Sequence, residues 1–123
     1  MPRDMAREAS RLVKEQVARL KPVQKTAVLL RALSDDTVRE VSRSLTEEEV
    51  RVLLVEMNRM PTASSVETVG VINEFLHIHK LWAPLGGVLT DSQQILDGLH
   101  RWAARNPRRM ARLLRESWLS GRT

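Results

Sequence analysis

Apolar residues recur at helical spacing along nearly the whole of this chain, and no segment alternates as a half-buried strand does. From Arg3 to Leu20, the residues Met5, Ala9, Leu12, Val13, Val17 and Leu20 share one stripe, which predicts an amphipathic helix. Lys21-Pro22 ends it, because the residue before a proline is pushed out of helical geometry. The stretch from Gln24 to Met60 then predicts three short helices in close succession. Lys25 to Leu33 is apolar almost all round, as suits a helix buried by its neighbours. Ser34 offers an N-cap to a second helix with Val38, Val41 and Leu45 inward. Thr46-Glu47-Glu48-Glu49 is a capping box opening a third, whose apolar face is Val50, Leu53, Leu54, Met57 and Met60 before Pro61 stops it. A second capping box, Ser64-Ser65-Val66-Glu67, opens a helix to about Trp82 with Val69, Ile72, Phe75, Leu76 and His79 inward.

Pro84 and the paired Gly86 and Gly87 mark a loop, the glycines permitting a close turn. Asp91 or Ser92 caps the next helix, with Ile95, Leu96, Leu99, Trp102 and Ala103 on one face. Asn106-Pro107 reads as N-cap plus first-turn proline of a last helix. There Met110, Leu113, Leu114 and Trp118 form one face, and Arg108, Arg112 and Arg115 share the other. The pattern predicts an all-α fold of six or seven short helices in an irregular array or bundle. Residues 1–105 are expected to form the helical domain and residues 106–123 an Arg-rich amphipathic tail.

Composition agrees with this picture and narrows it. A chain of 123 residues with 42% apolar and 28% charged content suits a single globular domain. The absence of cysteine excludes disulfides and thiolate metal sites. No apolar run approaches the roughly 20 residues of a membrane span, and no signal peptide is evident, so a cytoplasmic location is expected. Charge is unevenly placed: residues 1–100 carry 13 Lys/Arg against 14 Asp/Glu, whereas residues 101–123 carry seven Arg against the single Glu116. A basic tail on a near-neutral body points to nucleic acid, anionic lipid or an acidic protein surface.

Candidate chemistry is sparse. The serines Ser34, Ser64 and Ser92 and the carboxylate pairs Asp35-Asp36 and Glu47-Glu49 all stand at helix starts, where capping and the helix dipole account for them. His77 and His79 project about 200° apart on a helix, so they do not share a metal ion. Neither catalysis, a metal nor a cofactor is expected. The tail is the strongest candidate, because Trp118 and its apolar companions suit insertion into a groove, around Pro107 at the helix start. An ordinary final helix completing the core fits the same pattern. The two readings converge if the groove belongs to this chain, and exchange of tails between copies would give a swapped dimer. The Arg stripe suits phosphates or an acidic protein, and Glu47, Glu48 and Glu49 are an acidic patch within the chain itself.

Gln24-Lys25-Thr26-Ala27-Val28-Leu29-Leu30, Leu33, Leu45 to Val50 and Glu56-Met57 together resemble the N-terminal domain of the flagellar motor switch protein FliG, with its QKAAILL and L-x-x-E-E-I segments. Val71 to Phe75 is similar to its V-L-x-E-F helix, and Gly86-Gly87 before Ile95-Leu96 to its Gly-Gly segment. The resemblance covers about residues 20–100. Ser34-Asp35-Asp36 replaces the Leu-Gly usual there, and the Tyr-Ala pair after Gly-Gly is missing. Asn106 to Leu119 resembles the C-terminal tail of the MS-ring protein FliF, N-P-x-x-V-A-x-x-I-R-x-W-L, with one extra residue between Arg115 and Trp118.

The first resemblance implies that Phe75, Leu76, Trp82 and Ile95 line or border a groove that receives partner helices. Together the two imply a non-enzymatic rotor adaptor whose partner is a FliF-like MS-ring helix or its own tail. Self-association in a ring or dimer would follow, with the membrane met only through a ring protein. The expected place is the cytoplasmic face of the inner membrane in the flagellar basal body. The alternative is a basic all-helical nucleic-acid-binding protein.

Overall fold

The computed structural model describes residue 15, residues 17–85 and residues 91–119. Those residues form α-helices and one closing π-helical turn, with no strand among them, so the fold is all-α as the pattern predicts. The N-terminal amphipathic helix lies largely outside them; at its end residues 17–19 are helical and Val17 is buried. The turn expected at Gly86 and Gly87 also lies outside the described residues.

Helix α1 (Pro22–Arg31) is the axis of the array. Pro22 takes the first helical position, where its missing N–H is no loss, and Gln24 Oε1 accepts from the Lys21 N–H at 2.9 Å. Thr26, Ala27, Val28, Leu29 and Leu30 are all buried, so α1 is covered on every side. The one polar group in that run is satisfied locally, as the Thr26 hydroxyl donates to the Pro22 carbonyl at 3.1 Å. Helices α2 (Asp35–Ser42), α3 (Glu47–Arg59) and α4 (Ser65–His79) begin at the caps legible in sequence. Ser34 accepts from the Thr37 N–H at 3.3 Å, and the boxes at Thr46/Glu49 and Ser64/Glu67 each close in both directions. Asp91 caps α5 (Ser92–Arg105), accepting from the Gln93 N–H at 2.8 Å. Helix α6 (Pro107–Leu114) runs into the π turn Arg115–Leu119.

Around α1 pack α3, α4 and the π turn, while α2 lies against α5 and α6, and α4 against α5. One continuous core results, and the tail is part of it. Lys25 ties α1 to α4 through Glu74 at 2.8 Å. Arg31 donates to the carbonyls of Met57, Met60 and Pro61, capping the C-terminus of α3 with a cation where the helix dipole favours one. Met60 itself is extended, as a residue before proline must be.

Four details depart from the sequence pattern. Helix α4 stops at His79 rather than Trp82, because Lys80 turns left-handed (φ 53°) and the Leu81 N–H bonds back to the Leu76 carbonyl at 3.0 Å. This is a Schellman turn, and it buries Leu81. On α3 the core-facing line runs through Glu49 and Leu53, so Leu54, expected inward, is 56% exposed. Asn106 does not cap α6; its Nδ2 donates backward to the Trp102 carbonyl at 3.0 Å and closes α5. The last helix is α-helical only to Leu114, and the wider π turn brings the adjacent Trp118 and Leu119 both inward.

A lysine in the left-handed region is costly in a way that glycine is not. Lys80→Gly should therefore raise stability by ~0.5–1 kcal/mol, seen as a higher urea midpoint at unchanged slope.

Candidate partner-binding site

The tail packs on α2 and α5 through α6 and on α1 through the π turn, where Trp118 also reaches α4. Met110 and Leu114 are fully buried there, and Leu113 and Trp118 nearly so. Trp118 reaches Phe75 of α4, ring centroids 5.4 Å apart, and Phe75 stacks edge-on against His79 at 4.7 Å. Phe75 and Leu76 have no exposed surface, and Ile95 is buried from α5. Trp82 packs half-buried in the turn after α4, and Pro107 is half-buried at the head of α6. The tail face and the proposed groove residues thus share a single apolar core, with direct ring contact between Phe75 and Trp118.

The arginines divide. Arg108 and Arg112 are exposed, and Arg112 lies 4.0 Å from Glu116 of the π turn that follows. Arg115 turns instead to the body. Its Nε donates to Glu49 Oε2 at 3.0 Å and its terminal nitrogen to Glu49 Oε1 at 2.8 Å and to the Ser44 carbonyl at 3.1 Å. A two-pronged guanidinium–carboxylate contact fixes orientation as well as distance. Glu49 is itself held by its capping box, since its Oε1 also accepts from the Thr46 N–H at 2.8 Å. The signal for this residue was in the sequence: the third residue of a capping box has its carboxylate aimed back along the helix start. What the sequence lacks is the separation of 66 residues that the fold closes.

The arginine beside it holds the Glu49 carboxyl well below the usual range, down to about 2, against the opposing effect of burial and with help from the Thr46 N–H. Burial also lowers the His79 imidazole, partly offset by the Glu116 carboxylate and the Leu113 carbonyl. The buried His79 Nε2 has no hydrogen-bond partner, which suits a neutral packed ring. His77 is exposed. Among the described residues no cluster of His, Asp or Glu could hold a metal ion, and no helix is long and apolar enough to cross a membrane.

Because the folded carboxyl titrates below the unfolded one, the Glu49–Arg115 contact stabilises fully above about pH 5. It is lost as pH falls toward 2. Glu49→Gln should cost about 1–2 kcal/mol at pH 7, less than a fully buried pair because Arg115 is partly open to solvent. The same substitution should flatten the loss of stability between pH 5 and pH 2, measured by chemical denaturation at each pH. Trp118→Ala should cost ~3–5 kcal/mol in the same assay.

Residues 19–99 match the family model described as the FliG N-terminal domain, leaving α6 and the π turn outside the match. No curated protein and no solved structure matches the chain.

Proposed function

The chain belongs to the FliG N-terminal domain family, so it is a flagellar rotor protein that works through contacts with other proteins, and from that premise we propose that it is a self-complemented, non-enzymatic rotor adaptor. Its cleft takes a FliF-like MS-ring helix, and in the free protein its own tail holds that place. The observation that carries the reading is the burial of Met110, Leu113 and Leu114 where α6 meets α2 and of Trp118 against Phe75, with the π turn on α1 and Arg115 fastened on Glu49.

The tail's resemblance to FliF gains support from the π turn. The resemblance leaves one extra residue between Arg115 and Trp118, and an i→i+5 turn takes in one more residue per turn than an α-turn. With that residue absorbed, the arginine and the tryptophan both reach the body. A partner helix would bring the same two groups, an arginine for Glu49 and a tryptophan for Phe75. The location that follows is the cytoplasmic face of the inner membrane in the basal body, with the membrane met through the ring protein. Exchange of tails between copies uses the same contacts and would build a dimer or ring. The nucleic-acid alternative loses ground, because Arg115 is withdrawn from the basic stripe and Trp102 and Trp118 are buried.

The test is competition. A labelled peptide of a FliF C-terminus is titrated into the full chain and into Arg115→Gln, whose tail is held less firmly. The variant should bind the peptide about tenfold more tightly, because more of it presents an open cleft. Equal affinity for the two proteins, or no binding to either, would sink the reading.

A further inference from the structure

Helix α3 carries a second apolar line that starts at the margin of the core, where Val50 is half-buried, and runs out into solvent. Leu54 and Val55 are 56% and 49% exposed, and with Val50 and Leu45 they border an open trough between the end of α2 and α3. Positions 47, 50, 51, 54, 55 and 58 follow one another at i, i+3, i+4, i+7, i+8 and i+11, so they form one stripe along the outer side of the helix. That spacing reads the same in both directions. About a twofold axis between residues 52 and 53, Val50 of one chain falls opposite Val55 of another, and Leu54 opposite the aliphatic stem of Arg51.

Charge obeys the same symmetry. Glu47 stands exposed in the first turn of α3 and Arg59 stands exposed in the last. Antiparallel pairing therefore sets the acidic turn of each chain beside the basic turn of the other, and aligns the helix dipoles favourably. Parallel pairing would set like charge on like. Arg51 is already neutralised within its own helix by Glu48, so its stem is free to cover an apolar neighbour.

We propose that the outer face of α3 is a twofold interface with a second copy of this chain. It is separate from the tail cleft: Arg51, Leu54 and Val55 are exposed, whereas the line that meets the core and the tail runs through Glu49 and Leu53. Two copies joined here keep both tails docked.

The experiment is solution mass by light scattering on the full chain, wild type and Leu54→Glu, with far-UV circular dichroism on each. The expected result is a concentration-dependent mass reaching twice the 14.0 kDa of the chain, reduced to that of a monomer by Leu54→Glu with the helical signal unchanged. Since the chain has no cysteine, a Val50→Cys/Val55→Cys double variant reports the geometry directly. On mild oxidation the disulfide should join position 50 of one chain to position 55 of the other, as read by peptide mass. A wild type that stays monomeric to about 1 mM, a dimer that survives Leu54→Glu, or links of 50 to 50 and 55 to 55 would each overturn the proposal.

Discussion

A helix without a polar face has to be covered on all sides, and α1 is such a helix. Five consecutive residues, Thr26 to Leu30, have lost almost all contact with solvent. Two neighbours cannot achieve this, because the stripe a helix buries against one packing layer is on the order of 100° wide. Here α3 and α4 take two sides and the π turn of the tail takes a third. The arrangement of the rest follows from that constraint: α2 and α5 are held where they can carry α6, and α6 delivers the last turn to α1. The tail is thus a wall of the central compartment rather than an appendage, and its aromatic anchor stands where the wall closes.

The polar contacts that cross this core are few, and two of the three stand at helix ends. Arg31 on the last carbonyls of α3, Lys25 on Glu74 and Arg115 on Glu49 each join α1 or the tail to an element distant in sequence. Arg31 meets the fixed dipoles of a helix end, and Arg115 makes a second hydrogen bond to Glu49 and a third to the Ser44 carbonyl. Glu49 serves twice, closing its own helix start and receiving the tail. Folding of α3 and docking of the tail are therefore coupled through a single side chain.

Most of the helical plan was legible from residues alone, because caps are local chemistry. Ser34, Thr46, Ser64 and Asp91 each lie within three residues of the N–H they satisfy, so their meaning needs no tertiary context. The misreadings came where distant packing decides. Nothing near Leu54 says that the core line passes through Glu49 instead, since a buried glutamate becomes possible only when Arg115 arrives from the far end of the chain. Lys80 carries no mark of a left-handed turn, and the burial of Leu81 behind it is what selects one. Of the candidate site, the tail's apolar face and the Phe75 stripe were both visible as faces. That they could meet each other came from the two resemblances and not from the faces, because spacing identifies a sticky surface without naming its counterpart.

A single residue, Asn106, joins α5 to α6. With so short a tether, an undocked tail stays within reach of its cleft, and its local concentration stays in the millimolar range or above however dilute the protein is. A soluble helix of equal intrinsic affinity displaces it only when titrated to a comparable concentration. Partners that are themselves arrayed at high density, such as subunits repeated around a ring, are under no such handicap. The linker would then act as a filter, leaving the cleft shut to stray helices and open to those presented in an assembled lattice.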